Sequence, residues 1–131
     1  MAKVTDGLFL AFNTKSGKTY AISKSRMELI KVNKNIEDAF FKVKHKWSVI
    51  VAVLARAESG EVHVISRQVI LSHKMRKTQL GDYLAKLHAQ AGDDARYNYP
   101  GWELEDAAWI VDPEGKDWSE ADINKALEVI T

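Results

Sequence analysis

The run Trp47-Ser48-Val49-Ile50-Val51-Ala52-Val53-Leu54 constrains this chain more than any other segment. Its β-branched residues favour an extended backbone. Apolar side chains fall on both faces of that strand, so it belongs near the centre of a sheet with layers above and below it. It is far shorter than the roughly 18–20 apolar residues of a membrane span. Glu58-Ser59-Gly60-Glu61 then turns the chain and Val62-His63-Val64-Ile65 returns, which predicts a β-hairpin.

An earlier segment repeats the pattern. Gly7-Leu8-Phe9-Leu10-Ala11-Phe12-Asn13 and Thr19-Tyr20-Ala21-Ile22-Ser23 flank a Ser16-Gly17 turn, where glycine can take positive φ. Three helices are expected. Asn35 caps the first, with Ile36, Ala39, Phe40 and Val43 inward. Thr78 caps the second, where Leu80, Tyr83, Leu84 and Leu87 recur at helical spacing and Gly92 offers a stop. Ser119 and Asp122 have capping-box spacing for the third, Trp118 and Ile123 form a hydrophobic staple, and Ile123, Leu127 and Ile130 make its stripe.

A shift of 43 residues lays Lys15–Lys24 on Glu58–Arg67, Asn35 on Thr78, Phe40 on Tyr83 and His45 on His88. This reads as a ββα unit duplicated over residues 7–46 and 50–89, each copy needing the other to cover its sheet face. The alternative is coincidence of turn and cap chemistry. Turn signals at Asn98-Tyr99-Pro100-Gly101 and Asp112-Pro113-Glu114-Gly115 bracket a short extra strand at Trp109–Val111, with Trp102–Ala108 open to either strand or helix. The fold class expected is therefore α+β, a mainly antiparallel sheet from two hairpins, packed with helices and closed by a C-terminal helix. With 131 residues and no low-complexity linker, residues 1–131 read as one domain.

No cysteine is present, which excludes disulfides, thiolate metal sites and cysteine nucleophiles. The opening Met1-Ala2-Lys3-Val4-Thr5-Asp6 lacks the apolar core of a signal peptide, so the expected location is cytoplasmic and no membrane partner is expected. Ser16-Gly17-Lys18-Thr19 resembles the tail of a phosphate-binding loop, but Phe12 stands where that loop needs glycine, and a strand follows where it needs a helix. His45, His63, His73 and His88 form no helical metal pair. No Gly-x-Ser-x-Gly motif marks a nucleophilic serine. No catalytic residue, metal or cofactor is assigned on these grounds.

Charge is the remaining lead. Through Leu80 there are 15 Lys+Arg against 6 Asp+Glu, or +9; thereafter 4 against 12, or −8, which together give the chain's +1. One reading is that the two halves face each other. The other is a basic surface for a polyanion. Lys15, Lys18, Lys24, Arg26, Lys31 and Lys34 follow the first hairpin, and Arg67, Lys74, Arg76 and Lys77 follow the second. With Tyr20 offering a ring, they read first as a nucleic-acid-binding surface of a small accessory protein. The alternative is a protein-binding modulator or inhibitor using Tyr97, Tyr99, Trp102, Glu103, Glu105 and Asp106, because Trp and Tyr anchor interfaces. A third reading is a metal-dependent enzyme built on Glu103, Asp106 and a histidine, which requires those groups to converge.

Overall fold

A computed structural model describes residues 7–30, 47–71, 77–112 and 117–130, without the side chains of Lys77, Asp106 and Ala107. The elements in chain order are β1 (Leu8–Asn13), β2 (Thr19–Ser23), β3 (Glu28–Ile30), β4 (Trp47–Arg56), β5 (Val62–Leu71), α1 (Lys77–Asn98), β6 (Glu103–Asp112) and α2 (Glu120–Ile130). The strands form one sheet in the order β3-β2-β1-β6-β4-β5, with every neighbouring pair antiparallel. The fold is α+β, as its sequence pattern implies.

β4 is buried continuously from Trp47 to Val53. Val49, Val51 and Val53 pack with Leu80, Leu84, Leu87, Ala91 and Ala95 of α1. On the opposite face, Ile50 and Ala52 join Phe9, Ile22 and Ile110 beneath Ile123, Leu127 and Ile130 of α2. Full burial of a Val, Ile or Leu side chain is worth about 1.5–3 kcal/mol, so each helix is held mainly by the face it covers.

The N-terminal end of α2 is set as the sequence implies. Asp122 N donates to Ser119 Oγ at 3.1 Å, and Trp118 meets Phe9 edge-on with ring centroids 4.7 Å apart. Asn13 works at the other end: its Oδ1 accepts from the backbone N–H groups of Lys15 and Ser16, while its Nδ2 donates to the carbonyl of Ile130. One side chain thus closes the first hairpin turn and satisfies a carbonyl in the last turn of α2.

Several elements differ from their sequence expectation. β5 runs to Leu71, well past Ile65, because it stays paired with β4 along its whole length. β3 is an additional strand, reached through a turn in which Met27 has φ 50° and donates to Ser23 O. Gly92 does not stop α1. Buried Ala91 and Ala95 extend the apolar stripe past it, and the helix ends before Tyr99-Pro100. β6 is strand from Glu103 onward, with an irregularity where Ala52 pairs with Ala108 but Leu54 pairs with Glu105. The helix predicted after Asn35 lies outside the described residues, as does the helical half of the first proposed repeat. The hairpins themselves differ in register. Phe12 pairs with Thr19, whereas Ala55, its equivalent at the 43-residue offset, pairs with His63 rather than Val62. That one-residue step turns the return strands over, so Ile22 faces α2 and Ile65 faces α1.

The sheet also holds a buried charge. Asp112, fully buried at the end of β6, accepts from Lys24 Nζ and from Trp118 Nε1, both at 2.7 Å. Removing one partner of a buried pair leaves the other uncompensated. Asp112→Leu is therefore expected to lower unfolding free energy by about 3 kcal/mol in urea titration, and Lys24→Met with Asp112→Leu to recover part of that loss. Equal costs for the single and double variants would contradict the pairing account.

Candidate functional site

Tyr99-Pro100-Gly101-Trp102 is a compact positioning device. Proline favours the second place of a turn and positive φ the third, and Gly101 has φ 83°. Trp102 N donates to Tyr99 O at 3.2 Å, closing the turn, and the two rings lie 4.9 Å apart. His63, near the start of β5, pairs with Ala55 and so faces the same side as α1. There its ring sits 5.1 Å from Tyr99 and 5.4 Å from Trp102. Its Nε2 is 2.9 Å from Glu61 Oε1. Tyr97, in the last turn of α1, is 87% exposed. The rings of His63, Tyr99 and Trp102 therefore form a patch where α1 ends, next in sequence to the exposed Tyr97. In the sequence His63 is one of four histidines with no helical metal partner; the long pairing of β5 and the turn after α1 are what bring it to Tyr99.

Glu103 and Glu105 share the opposite side of the sheet, facing as Arg56 and Leu54 do. Glu105 accepts from Arg56 Nε at 2.6 Å and from Nη2 at 3.1 Å, a two-pronged pair. The hydrogen bond from Arg56 holds the Glu105 carboxyl below its ordinary value, and Glu105 in turn raises the Arg56 guanidinium. Glu103 is exposed. The side chain of Asp106, the third acidic residue of that set, is outside the described part.

The basic set is dispersed among the described residues. Lys15 and Lys18 are exposed on the β1–β2 turn. Lys24 lies at the other end of that hairpin, against Asp112. Arg26 is 3.8 Å from Glu28. Arg67, in the middle of β5, holds Asp94 of α1 at 2.7 Å. Tyr20 is half-buried and packs on the core. Lys31, Lys34, Lys74 and Arg76 lie outside the described residues, and the Lys77 side chain is likewise not described. The described members do not line one wall, because alternate strands, turns and sheet ends carry them.

Among the described residues no three His, Asp or Glu side chains come together as a metal site. His88 is occupied by Trp109, whose Nε1 donates to His88 Nδ1 at 3.1 Å. His45 and His73 are outside the described residues. None of the described helices is long and apolar enough to cross a membrane. No protein-family model, curated protein or solved structure matches the chain.

Two outcomes follow. A Cβ at the positive φ of Gly101 is strained, so Gly101→Val should cost about 1–2 kcal/mol and reduce the near-UV circular dichroism of the ring patch. An unchanged aromatic spectrum would show that the turn does not set the patch. Because Glu105 is depressed in the folded state, its contribution is present above its unfolded value of about 4.3 and is lost as pH falls through the folded value. Arg56→Gln should accordingly be less stable than the parent at pH 7, with the gap closing at low pH. A gap independent of pH would exclude this linkage.

Proposed function

We propose that this chain is a non-enzymatic, cytoplasmic protein-binding module, a modulator or inhibitor that docks its partner on the corner formed by His63, Tyr97, Tyr99 and Trp102. The observation that carries this reading is the mutual contact of the His63, Tyr99 and Trp102 rings, with Tyr99 two residues after Tyr97, which is 87% exposed. Tyr and Trp bring large contact area with few rotatable bonds, which is why they dominate the energetics of interfaces. Exposed Glu61 lies beside His63 at the corner, favouring a partner that presents lysine or arginine.

Nucleic-acid binding is the second reading. Its support is that the exposed Lys15 and Lys18 lie on a hairpin turn at the same end of the sheet as the β4–β5 turn. Its difficulty is electrostatic: Lys24 and Arg67 each hold a carboxylate of the protein itself, and a phosphate has to compete for them.

One experiment separates them. Immobilised parent chain and a Tyr97→Ser/Trp102→Ala variant are compared by quantitative mass spectrometry of captured proteins, alongside titration of labelled single- and double-stranded DNA and RNA at two salt concentrations. Protein docking predicts partners depleted at least tenfold on the variant and no salt-sensitive nucleic-acid affinity. Identical protein capture by both forms overturns the docking site. A nucleic-acid affinity that falls steeply with salt and is lost in Lys15→Glu/Lys18→Glu favours the second reading instead.

A further inference from the structure

β5 is the outermost strand on its side of the described sheet, and it pairs with β4 over ten residues without a bulge. Natural edge strands are usually guarded against pairing by shortness, lysine, proline or a bulge. Val62–Leu71 contains no lysine or proline, and its one Asp, Glu, Lys or Arg is Arg67, which is tied to Asp94. Val62 and Ile70, two of the few large apolar residues with high exposure, sit near its two ends at 41% and 40%. Both pair with β4 residues of the α2 side, so on that face the margin is apolar toward its two ends, with Ser66 and Gln68 between them. On the other face a half-open groove separates β5 from α1. Val69, Tyr83 and Leu87 line it, together with Arg67, Lys86 and Gln90.

From this geometry we infer a second docking surface: β5 and the adjoining groove accept an extended acidic segment of a partner protein as an added antiparallel strand. Main-chain hydrogen bonds to the edge supply affinity, and alternate side chains supply selectivity. Side chains directed toward α1 meet Lys86 in the groove, so a carboxylate fits there; Arg67, already paired with Asp94, can add only a shared contact. Arg67 directs Nε and Nη2 at one oxygen of Asp94, and its guanidinium carries further N–H groups. Side chains on the other face cover Val62 and Ile70, so apolar β-branched residues fit there. A second copy of β5 is a poorer occupant, since a two-fold pairing brings Arg67 and Lys86 of both copies toward one another. The surface meets the aromatic corner only at His63, near the start of β5, and the groove residues Val69, Tyr83 and Lys86 are no part of that corner.

The test is hydrogen exchange on the full chain, alone and with a synthetic ten-residue peptide in which Val and Glu alternate. A peptide with Lys in place of Glu is the control. Expected are rapid exchange at those β5 amides directed away from β4, at least tenfold slowing with the acidic peptide, and at least tenfold weaker binding of that peptide to Lys86→Glu. Four results each overturn the inference. They are outward β5 amides already protected in the monomeric chain, a chain that dimerises through β5, equal protection by the lysine peptide, and no protection by the acidic peptide.

Discussion

Burial of β4 on both faces is the constraint from which the rest of the structure follows. Val49, Val51 and Val53 point one way while Ile50 and Ala52 point the other, and none of them reaches solvent. At about 25 cal/mol for each Å² of apolar surface removed from water, neither set can be left exposed in a domain whose net stability is only about 5–15 kcal/mol. Two helices on opposite faces are the solution, α1 over the valines and α2 over the isoleucine and alanine. β6 completes it by pairing with β1 on one side and β4 on the other, which removes the inner edges of both hairpins.

The local signals in the sequence account for the two hairpins, α2 and the first turns of α1. Gly17 and Gly60 take positive φ in their turns, and Ser119 caps α2. What was not legible depended on partners distant in sequence. β3 has only three residues and lies among Lys, Ser, Arg and Glu, so no pattern marks it before β2 offers an edge. Gly92 is a weak helix former whose cost, about 1 kcal/mol against alanine, is outweighed by the apolar stripe on either side of it. The acidic start of β6 reads equally as helix or strand because Glu103 and Glu105 face outward, and only pairing with Arg56 and Leu54 decides it. The ring patch was half visible. Tyr99 and Trp102 stand in an evident turn, but nothing near His63 in sequence announces that it joins them.

The charge asymmetry acquires a physical meaning from the same topology. Lys24, Arg56 and Arg67 belong to the basic part of the chain, and their partners Asp112, Glu105 and Asp94 to the acidic part. Each pair crosses between elements, from the β2–β3 turn to β6, from β4 to β6 and from β5 to α1. These contacts differ in weight. Arg56–Glu105 and Arg67–Asp94 are partly exposed, where water and salt screen an ion pair and leave it little weight. Lys24–Asp112 has its carboxylate wholly inside, where loss of either member is far more costly.

The insertion of β6 between the hairpins thus does two things with one strand. It supplies Ile110 and Val111 to opposite layers of the core. It also carries Glu105 and Asp112 to cations contributed by the hairpins on either side. A chain whose halves were charged for separate tasks would keep those carboxylates away from Arg56 and Lys24; this one places them within hydrogen-bonding distance. Neutralisation of that kind leaves polar recognition to residues the pairing does not consume. Among the features that the core and these ion pairs leave at the surface are the exposed Tyr97 and the outer edge of β5.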